Sequence, residues 1–152
     1  LLAEAGQVST ETVQAAVADS ARYDVFGLID AALLGQPEHI LQMLAGLRGE
    51  GVEAPVILWA VAREVRQLAN IAQQYSQGVP LDRAFSQARP PVWDKRKPLV
   101  SKALQRHDAA GWQRLLMDAQ RIDEQIKGQA EGDPWVGLTD LCLQLSGRQI
   151  RL

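Results

Sequence analysis

The sequence predicts an all-α fold, a multi-helix bundle, and three observations carry that expectation. Apolar residues recur at three- and four-residue spacing over most of the chain. Sustained alternation of β-branched and polar residues is absent, as are Asn-Gly and Asp-Gly hairpin turns. Gly and Pro punctuate the periodic segments at the places where helices stop and start.

Taken in order, Ser9 or Thr10 is placed to cap a short helix reaching about Ser20, with Glu11 favourable to its dipole. Asp24 opens a second helix through Val25, Phe26, Leu28, Ile29, Ala32 and Leu33, and Gly35 stops it. Pro37 suits the first turn of a third, with Ile40, Leu41, Leu44 and Leu47 on one face and Gly49-Glu50-Gly51 at its end. The longest segment runs from Pro55 to Gln77. Its stripe comprises Ile57, Leu58, Val61, Val65, Leu68, Ala69, Ala72 and Tyr75, and Val56, Trp59 and Ile71 widen it enough to predict burial on more than one side.

Gly78 and Pro80 end that helix, and a short one over Leu81–Gln87 precedes the break Arg89-Pro90-Pro91-Val92. A helix from Trp93 to Arg106 follows, with Pro98 tolerable only near its first turn. After a boundary at His107 or Asp108, the next helix lines up Trp112, Leu115, Leu116, Ala119, Ile122 and Ile126. A polar loop spans Gly128 to Gly132. Asp133 then caps a last helix with Pro134 in first position, buried through Trp135, Leu138, Leu141, Cys142 and Leu145, and Gly147 stops it.

A chain of 152 residues is long enough to bury roughly two-thirds of its unfolded surface in one core. Apolar residues make up 47% and charged residues 22%, ordinary for a soluble globular protein, and the net charge of −2 selects no class of partner. No apolar run approaches the ~20 residues of a membrane span. The start, Leu1-Leu2-Ala3-Glu4, has neither an initiator Met nor the charged opening of a signal peptide, so a piece of a longer protein is expected. The single cysteine, Cys142, forms no internal disulfide, which fits a reducing cytoplasm.

A search for chemistry yields no catalytic constellation. There is no Gly-x-x-x-x-Gly-Lys-Ser/Thr phosphate loop. His39 and His107 each lack a second ligand at metal-binding spacing and read as solvent-facing helix residues. Cys142, on an apolar face, reads as a buried inert thiol. Asp118, Asp123 and Glu124 fall on the polar side of their helix, where solvation rather than paired acid–base work is expected. The expectation is therefore no enzyme, no cofactor and no metal.

Two features point to binding. Four tryptophans, Trp59, Trp93, Trp112 and Trp135, are many among so few aromatics. Packing explains most of them, but Trp93 beside the Pro-Pro break suits an interface anchor, and Trp135 at a helix start suits an interface or a stacked base. Between Arg89 and Arg106, six basic residues (Arg89, Lys95, Arg96, Lys97, Lys102 and Arg106) face one acid, Asp94. Such a stripe can meet phosphates, and it is more often a solvated helix face or a patch that meets an acidic partner.

The stretch from Val13 to Phe26, followed by Leu28-Ile29-Asp30-Ala31-Ala32-Leu33-Leu34-Gly35, resembles a junction in the delta-subunit family of bacterial DNA polymerase III. Further matches occur in order: Leu44-x-x-Leu47-Arg48-x-Glu50-Gly51, Pro55-Val56-Ile57-Leu58, Arg63-Glu64, Val92-Trp93, Ala103-Leu104-x-Arg106 and Trp135-x-x-Leu138. No one piece is diagnostic; their order and spacing carry the resemblance. It implies that residues 1–22 end the lid domain of an AAA+ module, and that 23–152 form the helical collar. It also implies that the collar packs beside the delta prime and gamma/tau subunits of a clamp loader, near primed DNA. Contact with the sliding clamp would belong to an N-terminal domain outside this chain. The rival expectation is an autonomous helical DNA-binding domain using the Arg89–Arg106 stripe.

Overall fold

The computed structural model describes residues 24–147, which form seven α-helices and, among the described residues, no strand. The helices are α1 (Val25–Leu34), α2 (Pro37–Gly49), α3 (Ala54–Ser76), α4 (Leu81–Gln87), α5 (Lys97–Leu104), α6 (Ala109–Ile126) and α7 (Pro134–Leu145). The helix expected between Ser9 and Ser20 lies outside the described residues.

The boundaries follow local chemistry. Asp24, Asp108 and Asp133 each place a carboxylate oxygen on a free backbone N–H of the first turn, at 2.5 Å from Gly27, 2.7 Å from Gly111 and 2.9 Å from Trp135. Pro37, Pro55, Pro98 and Pro134 occupy first or second helical positions, where the missing N–H costs nothing. Pro98 decides one difference from expectation. α5 starts at Lys97 rather than Trp93, because a proline is accepted only in the first turn, and residues 94–96 form a turn ahead of it. Gly35 adopts φ +76, and the Gln36 and Gly35 N–H groups donate back to the Ala31 and Ala32 carbonyls at 3.0 and 3.1 Å, closing α1.

α3 and α6 pack along each other at the centre. α7 lies against α6, α3, α2 and α1, and α1 also meets α2, α3 and α5. The core is continuous: Leu28 and Leu33 of α1, Ile40 and Leu47 of α2, Ile57 and Leu68 of α3, Trp112 and Leu115 of α6, and Leu138 and Leu141 of α7 are all buried. Gly137 permits the α6–α7 approach, since a Cβ there would stand 2.8 Å from Cγ1 of Ile122.

Several side chains lie elsewhere than their spacing suggests. Leu41 is exposed and Met43 takes its place beside Ile40, because Leu41 sits about 100° round from the Ile40–Leu44–Leu47 line. Phe26 of α1 and Val56, Trp59 and Tyr75 of α3 are exposed, so α3 is buried along the Ile57–Ile71 side only. Leu116 and Ile126 are half-buried, and α7 buries Leu143 as well as the expected positions.

Candidate interaction surface

A groove of about 470 Å³ lies among α1, α3, α5 and the segment that joins α4 to α5. Its walls combine Phe26, Ile29 and Ala60 with Pro90, Pro91, Val92 and Trp93. Phe26 and Trp93 are 79% and 72% exposed, so two large aromatic surfaces flank it in contact with solvent. Arg63 and Arg89 also line it.

Polar hooks hold the joining segment in place. Gln67 of α3 donates from Nε2 to the Pro90 carbonyl at 2.6 Å. One turn earlier on the same helix, Glu64 lies 3.7 Å from the Arg96 guanidinium, which also donates to Asp30 of α1 at 2.9 Å. Burial pushes the Glu64 carboxyl above the usual carboxylate range; Arg96 opposes that shift and Asp30 adds to it. The Val92 N–H donates to the Phe85 carbonyl at 3.1 Å, and the Arg96 N–H donates to the Trp93 carbonyl at 2.8 Å. The Arg89–Pro90 peptide bond is cis.

The six basic residues do not share one free face. Arg89 turns its Nη1 to the carbonyls of Ser86, Gln87 and Ala88 at the end of α4. Arg96 is bound to Asp30 and Glu64, and Lys97 pairs with Asp94 at 2.9 Å. Arg106 donates to the Ala32 carbonyl at 3.3 Å and passes between Gly35 and Gly147. Lys95 and Lys102 are exposed and form no ion pair among the described residues.

Trp135 is half-buried, with the Arg48 guanidinium 4.9 Å from its ring centroid, so one ring face is already covered by a cation. Trp59 stands 65% exposed beside a second groove of about 490 Å³ between α3 and α6, lined also by Leu58, Ala62, Arg66, Leu116 and Gln120. Spacing on α3 pointed to burial for Trp59. A stripe too wide for the neighbours available was the signal that one edge would face outward.

His39 is exposed, as expected. His107 departs from expectation: its Nε2 lies 2.8 Å from the Gln144 carbonyl and its ring meets Trp112 edge-on at 5.2 Å, which makes it a junction residue between α6 and α7. Cys142 is fully buried, and burial pushes its thiol up to about 12. Asp123 pairs with Lys127 at 2.8 Å. Asp118 is held above the usual carboxylate range by partial burial and by the charge of Asp140, while Arg121 and Arg114 oppose the shift. Among the described residues no group of three His, Cys, Asp or Glu could hold a metal ion, and no helix is long and apolar enough to cross a membrane.

Comparison with known proteins adds the missing context. Residues 25–151 match a family described as the processivity clamp loader gamma complex DNA pol III C-terminal domain. The chain is 30% identical over 140 residues to DNA polymerase III subunit delta of Escherichia coli (strain K12), a match covering 92% of this chain and 40% of that protein. It is 24% identical over 135 residues to DNA polymerase III subunit delta of Haemophilus influenzae, covering 85% of this chain and 39% of that one. The chain thus spans about two-fifths of the length of the curated relatives it matches.

Proposed function

The chain belongs to the family of C-terminal domains of the DNA polymerase III delta subunit, and from that membership we propose that it is a collar: a helical module that packs beside neighbouring clamp-loader subunits. The observation that carries this reading is the outward placement of Trp59 and Trp93, each beside a groove on a helical body. An indole left mostly exposed adds little to the packing of an isolated domain, yet tryptophan is enriched among the residues that dominate binding at interfaces.

On this reading the partners are the collars of delta prime and gamma/tau, with primed DNA close by in the assembled loader. Residues 1–22 belong to the end of the lid domain and 23–152 to the collar. The module is non-catalytic and uses no cofactor. Contact with the sliding clamp falls to a part of the protein outside this chain, and the site of action is the cytoplasm. Of the basic residues, Lys95 and Lys102 face outward and suit an acidic partner or a phosphate backbone; Trp135 contributes at the edge of α7.

Gel filtration of the full-length protein with gamma/tau and delta prime tests the proposal. Co-elution is expected, and Trp59→Ala or Trp93→Ala should weaken it by roughly tenfold or more, the scale of an interface anchor. Absence of association at micromolar concentration would overturn it. The rival, an autonomous DNA-binding domain, gains little from the geometry, because Arg96 and Arg106 are engaged inside the fold.

A further inference from the structure

Trp93 sits on a segment without regular structure, yet that segment is fastened on both sides. Before it, the Pro90 carbonyl is held by Gln67 and the Val92 N–H by Phe85. After it, the Arg96 N–H bonds the Trp93 carbonyl itself, while the Arg96 side chain spans Asp30 and Glu64. Glu64 and Gln67 are three residues apart on α3, so one helix face supplies a hook for each end of the segment.

We propose that Gln67, Glu64, Asp30 and Arg96 are positioning residues that hold Trp93 in one outward pose ready for contact. The inference rests on the reading of Trp93 as a contact residue. Two of the four, Glu64 and Arg96, look like surface charges in the sequence, and Arg96 belongs to a stripe that could face solvent, phosphates or an acidic partner. The structure assigns it inward instead.

Net stability is a poor explanation for such a network. A partly buried ion pair roughly repays its own desolvation, and well-packed apolar side chains would hold α1, α3 and α5 together as well. What an arginine bridging two carboxylates, one hydrogen-bonded at 2.9 Å and one at 3.7 Å, adds is direction. A large side chain whose backbone is already fixed in place loses less freedom on binding, so its contact is stronger for the same buried area.

The test uses the full-length protein labelled with 5-fluorotryptophan, with the Trp93 resonance assigned by Trp93→Phe. The same variants are assayed for loading of the sliding clamp onto primed DNA in a loader reconstituted with gamma/tau and delta prime. Arg96→Met and Gln67→Ala should shift and narrow the Trp93 line while leaving those of Trp59, Trp112 and Trp135 in place. Each should slow loading roughly two- to tenfold, the cost of ordering one side chain on binding. Adding Arg96→Met to Trp93→Ala should cost nothing further.

An unchanged Trp93 line in both variants, or full additivity in the double variant, would overturn the inference. Gln67→Ala, which removes one neutral hydrogen bond, keeps the test open if Arg96→Met does not fold. If Trp93→Ala alone leaves loading unchanged, the contact role of Trp93 fails, and the fluorine lines still decide whether these residues position it.

Discussion

Cys142 illustrates how much one environment settles at the scale of a residue. With no exposed surface and a thiol pushed up to about 12, it holds almost no thiolate near neutral pH. Iodoacetamide at pH 8 should therefore leave Cys142 unmodified in the native protein, and its labelling should rise only through the urea unfolding transition; rapid labelling of Cys142 without denaturant would contradict the burial. Arg96 and Arg106 make the complementary point. Both are charged residues of a stripe that looked solvent-facing, and both are drawn inward by acceptors from distant parts of the chain, Asp30 and Glu64 for one and the Ala32 carbonyl for the other. Spacing along a helix says which side chains are neighbours locally. It carries no word of an acceptor seventy residues away.

Helix ends are the best-determined features at the scale of the element, and α1 shows why. Its closure needs a residue at φ +76, and the Arg106 guanidinium fills the space beyond: a Cβ on Gly35 would meet Nη2 of Arg106 at 3.0 Å and the Ser146 carbonyl oxygen at 3.4 Å. Gly35→Ala should lower stability by about 1–3 kcal/mol, the usual cost of a left-handed non-glycine residue. Urea denaturation would read this as a lower midpoint at unchanged slope. An unaltered midpoint would mean that α1 ends in another way. The α5 boundary has an equally local cause, since Pro98 excludes a start as early as Trp93.

Across the whole molecule, the helices share one core, and Trp112 belongs to it on α6, the helix that packs against α3 and α7. It is completely buried, and His107 from the α5–α6 junction packs edge-on against it while bonding the Gln144 carbonyl of α7. Trp112→Ala should cost about 3–5 kcal/mol, as large-to-small changes of core aromatics do. Loss of helix followed by far-UV circular dichroism would show that change. In the parent protein the tertiary signal of the aromatics should vanish in the same transition as the helical signal, because a single core unfolds as a unit. Separate transitions would mean two independent bodies.

The helical class, most helix ends other than those of α5, and the core stripes of α2, α6 and α7 apart from Leu41 were legible in the amino-acid sequence. Their causes are local: side-chain caps within three residues, prolines in first turns, a glycine at positive φ, and a period of 3.6. The order and spacing of short matches likewise indicated the family to which the chain belongs. Tertiary structure alone decided which tryptophans face outward, because Trp59 and Trp112 sit on equally plausible apolar stripes and differ only in whether another helix covers them. It also separated the basic residues anchored inside the fold from Lys95 and Lys102, which face out. Burial and ion pairing depend on the positions of partners distant along the chain, and only packing brings those partners into range.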